Sequence, residues 1–362
     1  NSLYGQLGAP TSSFYEPDIA ASTTATGRLL LTFAKKIVEE CYQDKVFEIN
    51  GRKVTTNAEY IYGDTDSVFF NFNLKDALTK KPIEGKDALE LSIIIAQEAC
   101  GLVSSFLKAP HDFEYEKTFM PFCLLSKKRY VGMLYETDVN KCKSKSMGIV
   151  LKRRDNAPIV KDIYGGIIDI LMKDKNIQKS LDFLDQSLMN ILDGHFPFDK
   201  FLITKSLRSG YKNPNQIAHK VLADRIGQRD PGNKPSPGDR IPFAFIIPKN
   251  KPKLQGDKIE TPAFIHENNL KLDFNHYITN QIMKPVIQIF SLVLFDLPRL
   301  EKKRNMKLRI QSEINTARKT LPYDAFKRKE EQIKNKIVEK LLFEKYINMT
   351  KTDTKDISSF FS

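Results

Sequence analysis

The sequence predicts an α+β fold: an antiparallel sheet with packed helices, followed by a mainly helical region. Three observations carry that expectation. Two β-hairpin signals occur early, a long apolar segment of helical character separates them from a further pair of strands, and the pattern turns helical beyond Asn156-Ala157-Pro158.

Residues 18–43 read as a helix, because Pro17 precedes them and Leu30, Phe33, Ala34, Ile37, Val38 and Cys41 recur at helical spacing. Asn50-Gly51 then separates the β-rich runs VFEI and RKVTT, and a dipeptide tolerant of positive φ is the strongest short hairpin signal. A second hairpin is expected where EYIY and SVFFNF flank Gly63-Asp64-Thr65-Asp66. Residues 87–107 are apolar around much of a helix and should pack on a sheet. Between residues 112 and 136, aromatic and β-branched residues flank Ser126-Lys127-Lys128-Arg129, which predicts another pair of strands. A domain boundary is expected near Arg154. Beyond it we expect a Pro- and Gly-rich loop at residues 227–240, a helix at about 275–295, and a charged helical stretch at 300–348.

A net charge of +13 and a pI near 9.3 favour a polyanionic partner, since Lys and Arg gain affinity by releasing counterions from phosphates. Cys41, Cys100, Cys123 and Cys142 are scattered without a CxxC pair, which excludes a zinc ribbon or an iron–sulfur cluster and predicts reduced thiols. No apolar run is read as long enough to span a membrane and no charged-then-apolar leader is seen in the sequence, so an intracellular location is expected. Asn1-Ser2 runs directly into LYGQLGA, from which we expect further sequence upstream.

The chemistry centres on Asp64 and Asp66. Placed in a turn between two strands, both carboxylates project from the end of a sheet and repel one another unless a cation neutralises them. A lone Asp-Thr-Asp is more often an ordinary polar turn. Its surroundings change that reading. Tyr62-Gly63-Asp64-Thr65-Asp66-Ser67 resembles the C motif of B-family DNA polymerases, Asn1-Ser2-Leu3-Tyr4-Gly5 resembles the end of their B motif, and Ser126-Lys127-Lys128-Arg129-Tyr130 with Gly132 resembles their primer-gripping segment. Further on, LITKSLRSGYKNPNQIAH, GDRIPFAFI and DFNHYITNQIMKPVIQIF resemble the thumb of delta-type and large-DNA-virus polymerases.

This resemblance implies a partial palm followed by a thumb: the end of the fingers at residues 1–17, palm at 18–154, thumb at 155–300 and a charged extension at 301–362. It implies two Mg²⁺ ions, with Asp66 a direct ligand, Asp64 lining the same site and Glu116 a candidate outer ligand. Glu114 and Glu116 are expected on one face of a strand. Asn1, Tyr4 and Thr65 would lie beside the incoming deoxynucleoside triphosphate, while Lys127, Lys128, Arg129 and Tyr130 would hold the primer terminus. Lys205, Arg208, Tyr211, Lys212, His219 and Arg225 are candidate contacts to the backbone of primer–template DNA. His111, His195, His266 and His276 show no metal-ligand spacing. The family's A-motif aspartate, B-motif lysine and triphosphate-binding arginine would come from an N-terminal polymerase segment.

The tail, Ile357-Ser358-Ser359-Phe360-Phe361, fits the core of the peptide that binds PCNA-type sliding clamps, with Thr354 in place of the usual glutamine. The lack of a cysteine-rich tail favours a viral type. Two other readings are a catalytically silent DNA-binding or scaffolding fragment, and another palm enzyme such as a reverse transcriptase or RNA-dependent polymerase. The NSLYG and KKRY segments count against the latter.

Overall fold

The computed structural model describes residues 3–152, 155–248, 250 and 252–352. The chain divides into two compact units, residues 1–148 and 149–362. Helices and antiparallel sheets occur in both, an α+β architecture.

The first unit begins with α1 (Leu3–Gly8) and α2 (Pro17–Cys41), the latter started by the pre-set φ of Pro17. β1 (Gln43–Ile49) and β2 (Arg52–Asn57) form the expected hairpin, with Asn50 at φ +54° and Gly51 at φ +75° in its turn. β3 (Glu59–Asp64) and β4 (Ser67–Asn71) form the second hairpin, and β5 (Lys75–Asp76) pairs with β2. α3 (Gly85–Phe106) follows, then β6 (Thr118–Ser126), β7 (Arg129–Tyr135) and β8 (Cys142–Met147) in one antiparallel sheet. β8 was not expected. Its sequence, CKSKSM, lacks an apolar run, and its extended form comes from pairing residue by residue with β7.

One core holds this unit together. Val38 and Tyr42 from the end of α2, Phe47 and Val54 from the first hairpin, Phe72 and Leu74, and Leu91, Ile95, Ala99 and Val103 of α3 are all buried in it. Removing such side chains from water is worth about 1.5–3 kcal/mol each. α3 corrects one expectation, because by length and composition it is apolar enough to cross a membrane. Four of its six buried residues, Leu91, Ile95, Ala99 and Val103, instead belong to this core, as in a core helix of a globular unit.

The second unit contains α4 (Pro158–Asp169) and α5 (Ile177–Leu192), the latter capped where Asn176 Oδ1 accepts from the Lys179 amide at 2.9 Å. Then come β9 (Ile203–Ser206), α6 (Ala218–Arg229), β10 (Arg240–Phe245) and β11 (Ile259–Glu260), a three-stranded antiparallel sheet in the order β11-β10-β9. Four helices lead toward the end: α7 (Pro262–Glu267), α8 (Phe274–His276) running through a π-helical stretch at Tyr277–Ile282 into α9 (Met283–Leu292), and α10 (Pro298–Glu301). The charged stretch is divided into α11 (Arg304–Thr320), α12 (Tyr323–Leu342) and α13 (Glu344–Thr352). Pro322 explains the first break, since it disfavours helical backbone at Leu321.

Two polar devices fix this unit. The buried Tyr277 hydroxyl donates to the Phe201 carbonyl at 2.7 Å and accepts from the Phe245 amide at 2.9 Å, tying β10 to the segment before β9. Glu260, only 4 % exposed, is gripped by Arg225 Nε at 2.9 Å and by both terminal nitrogens of Arg229 at 2.6 and 3.2 Å. Arg225 also donates to the carbonyls of Gly256 and Ile259 at 3.0 and 2.6 Å. Removing one member of a buried ion pair strands its partners. Glu260→Ala should therefore destabilise the unit by about 3 kcal/mol, the low end for such a loss because Arg229 is partly solvated. Urea unfolding followed by far-UV circular dichroism measures this, and an unchanged midpoint would contradict it.

Candidate active site

Two hairpin turns of the first unit build the site. In the β3–β4 turn Thr65 takes φ +56°, so the chain reverses within two residues and Asp64 and Ser67 remain a register pair. The Asp66 amide donates to the Asp64 carbonyl at 2.6 Å, and the Ser67 hydroxyl donates to the same oxygen at 3.2 Å. Gly63 sits at a close approach, since a Cβ there would lie 2.7 Å from the Tyr60 hydroxyl and 3.1 Å from the Ser67 carbonyl oxygen.

The β6–β7 turn carries Ser126-Lys127-Lys128-Arg129, with Lys128 at φ +61°. Its amide donates to the Tyr62 hydroxyl at 2.8 Å, and its ammonium lies 2.8 Å from Asp64 Oδ1. Gly148, at φ +62°, lies directly against the Lys128 carbonyl, where any Cβ would overlap that oxygen. An aromatic cluster sets the two hairpins side by side. Phe69 of β4 stacks on Phe119 and Phe122 of β6 at 6.0 and 5.5 Å, and meets the edge of Tyr130 at 5.7 Å. Tyr62 joins through Phe69 at 5.7 Å.

The electrostatics follow from that juxtaposition. The hydrogen bond from the Lys128 ammonium outweighs partial burial and holds the Asp64 carboxyl below its ordinary pKa, helped by the Thr65 hydroxyl at 3.0 Å and by Tyr62. Reciprocally, Asp64 raises the Lys128 pKa, with a smaller contribution from Asp66. The exposed Asp66 carboxylate makes no hydrogen bond or ion pair with a described residue. The Tyr130 phenol is pushed up by burial and by the charges of Glu116, Tyr62 and Asp64.

Among the described residues no group of three or more His, Cys, Asp and Glu side chains could hold a metal ion. Asp64 and Asp66 are a pair only. Their chemistry nonetheless suits a hard cation: Asp64 already attracts an ammonium, Asp66 is open to solvent, and Mg²⁺ takes one or two carboxylates with waters and phosphates completing its shell.

The other sequence candidates fall in several places. Tyr4 is 49 % exposed on α1, whereas Asn1 and the tail residues Ile357, Phe360 and Phe361 lie outside the described residues. Lys127 is exposed and Arg129 partly buried, and the Tyr130 ring is enclosed by the aromatic cluster. Glu114 and Glu116 do not share a strand face, because β6 begins only at Thr118. Glu116 is exposed and paired with Lys117, near enough to Tyr130 to raise its pKa. In the second unit Lys205 sits 3.7 Å from Asp155, and Arg208 and Lys212 are exposed. The Tyr211 hydroxyl accepts from the Arg208 amide at 2.9 Å and bonds His219 Nε2 at 3.1 Å. Burial and the neighbouring Lys205 and Arg208 charges lower the His219 pKa. Arg225 turns inward to Glu260, a structural use that its helix-surface spacing did not reveal. Tyr62 and Gly148 are contributors that sequence reasoning did not assign, and the contact of Gly148 with the Lys128 carbonyl shows only in the fold.

Because the folded-state pKa of Asp64 lies below its unfolded value, the ion pair contributes stability that is complete above the ordinary carboxylate range and is lost as pH falls through the lowered pKa. Lys128→Met should raise the Asp64 pKa back toward the ordinary carboxylate value. Carboxyl ¹³C NMR titration reads this directly, and an Asp64 midpoint unchanged by the substitution would refute the contact.

The DNA polymerase of Pyramimonas orientalis virus is 49 % identical over 371 aligned residues, covering 100 % of this chain and 29 % of the viral protein. The DNA polymerase of Acanthamoeba polyphaga mimivirus is 47 % identical over 241 residues, 65 % of this chain and 14 % of that protein. The DNA polymerase delta catalytic subunit of Caenorhabditis elegans is 34 % identical over 298 residues, 82 % of this chain and 26 % of that subunit. The chain thus spans less than a third of each of these relatives. The family model for DNA polymerase family B matches residues 1–293, and the chain belongs to that family.

Proposed function

We propose that this chain is the C-terminal part of a template-directed DNA polymerase, which extends a primer 3′ end by nucleotidyl transfer during DNA replication. The observation that carries the reading is the Asp64–Thr65–Asp66 turn set against the Lys128 ammonium, in a chain whose first 293 residues match the family. Residues 1–17 are the end of the fingers, residues 18–154 a partial palm, residues 155–300 the thumb and residues 301–362 a helical extension.

In the assembled enzyme, Asp64 and Asp66 would hold Mg²⁺ together with an aspartate from the N-terminal polymerase segment, with Glu116 as a candidate outer ligand. Bound there, the metal supplies positive charge for the phosphoryl transfer. Lys128 pairs with Asp64 and would exchange that contact for a primer phosphate, since both are anions and its ammonium sits on a flexible stem. Lys127 and Arg129 extend the positive charge at the primer terminus, while Tyr4 and Thr65 flank the incoming deoxynucleoside triphosphate. The 3′ hydroxyl attacks the α-phosphate in line and pyrophosphate leaves, with positioning as the protein's main contribution. Arg208 and Lys212, exposed beside the Tyr211–His219 contact, grip the duplex without reading its sequence. The tail residues Ile357, Phe360 and Phe361 would engage a PCNA-type clamp, and the working compartment is the nucleus or a viral replication site.

Since the described residues supply only two of the carboxylates, the isolated chain should show no primer extension. Addition of the N-terminal segment should restore it, and Asp66→Asn in the restored enzyme should lower incorporation by about 100-fold or more. Extension by the chain alone would overturn the division of the site. A restored complex that binds DNA but never incorporates would favour a silent DNA-binding fragment.

A further inference from the structure

The family match ends at residue 293, yet most of the chain's surplus charge lies beyond it. Residues 302–340 contain 13 Lys and Arg against five Asp and Glu, a net +8 of the total +13. They form the helical hairpin α11–α12. Its apolar stripe is used internally: Ile310 and Ala317 of α11 and Phe326, Ile333 and Val338 of α12 are buried, and the Ser291 hydroxyl of α9 donates to Asn335 Oδ1 at 2.6 Å.

The cations are left outside. Lys327 and Lys334 pair with Glu330 at 3.6 and 2.7 Å, and Lys307 donates to the Phe295 carbonyl at 2.9 Å. The other ten form no ion pair with a described residue. They concentrate at the two ends of α11, with Lys302, Lys303 and Arg304 at its start. At its far end lie Arg318 and Lys319, and Arg328 and Lys329 follow in the second turn of α12, beyond the Leu321-Pro322 turn. A 17-residue helix separates these clusters by about 25 Å, roughly seven steps of duplex at 3.4 Å each.

We propose that the α11–α12 hairpin is a second, sequence-independent docking surface for duplex DNA, outside the region matched by the family. Like charges fixed on a rigid hairpin repel one another, and a polyanion relieves that repulsion while its counterions are released. The fixed spacing suits a stiff duplex. A single strand would call for successive aromatic platforms, and the tip presents one exposed ring, Tyr323.

The test is fluorescence anisotropy of the full chain with a short labelled duplex, the matching single strand, and anionic phosphatidylserine vesicles, each across a salt series. Arg318→Gln, Lys319→Gln, Arg328→Gln and Lys329→Gln combined should weaken duplex binding by about tenfold or more and reduce the log–log salt slope by up to about 3.6. Arg318→Lys with Arg328→Lys should bind as the parent does, and unchanged far-UV circular dichroism shows that the fold survives. Duplex affinity and slope unaltered in the neutralised variant would overturn the proposal, as would a loss confined to single strands or to vesicles. This surface is independent of the Asp64–Asp66 chemistry. Duplex binding lost in the variant, where even the chain supplemented with the N-terminal segment never incorporates a nucleotide, would support the surface and sink only the polymerase reading.

Discussion

The contact between Lys128 and the β3–β4 turn organises the first unit's chemistry. Two hairpins far apart in sequence are bound at their tips by one residue, whose amide holds the Tyr62 hydroxyl and whose ammonium holds the Asp64 carboxylate. Behind the tips, Phe69, Phe119, Phe122 and Tyr130 fix the spacing through apolar contact. The polar contact alone, exposed on the Lys128 side, would contribute little in water. Packing holds the turns near one another, and proximity then makes the charge pair effective at setting the Asp64 ionisation.

The second unit uses the opposite arrangement, with its strongest charge network inside. Glu260 joins Arg225 and Arg229 of α6 to β11, while Tyr277 joins β10 to the Phe201 segment. These contacts leave Arg208, Lys212 and the α11–α12 cations facing solvent. Positive charge is thus separated by role: two arginines stabilise the scaffold, and the exposed ones remain available to a polyanion.

Much of the first unit was legible because its signals are local. Asn50-Gly51 and Asp64-Thr65-Asp66 tolerate the backbone reversal that each turn needs, and α2 and α3 show apolar spacing over many residues. β8 was not legible, since CKSKSM becomes a strand only by pairing with β7, and β11 is two residues long for the same reason. Of the site, Asp64, Asp66 and the Lys127-Lys128-Arg129 turn could be singled out from sequence. The pairing of Lys128 with Asp64 could not, because no periodicity links residues on separate hairpins. The expected Glu114–Glu116 face failed where the chain before Thr118 is not extended into the sheet, and Arg225 sits on a helix whose inward side carries a charge partner from β11.

The central claim is that the Asp64–Asp66 turn is a partial cation site balanced by an ammonium. Paramagnetic line broadening by Mn²⁺, read at the backbone amides of the first unit, tests it most directly. Selective broadening of residues 63–67 that disappears in Asp66→Asn is the result this account predicts. Broadening that is absent there, or that persists unchanged after the substitution, would contradict it.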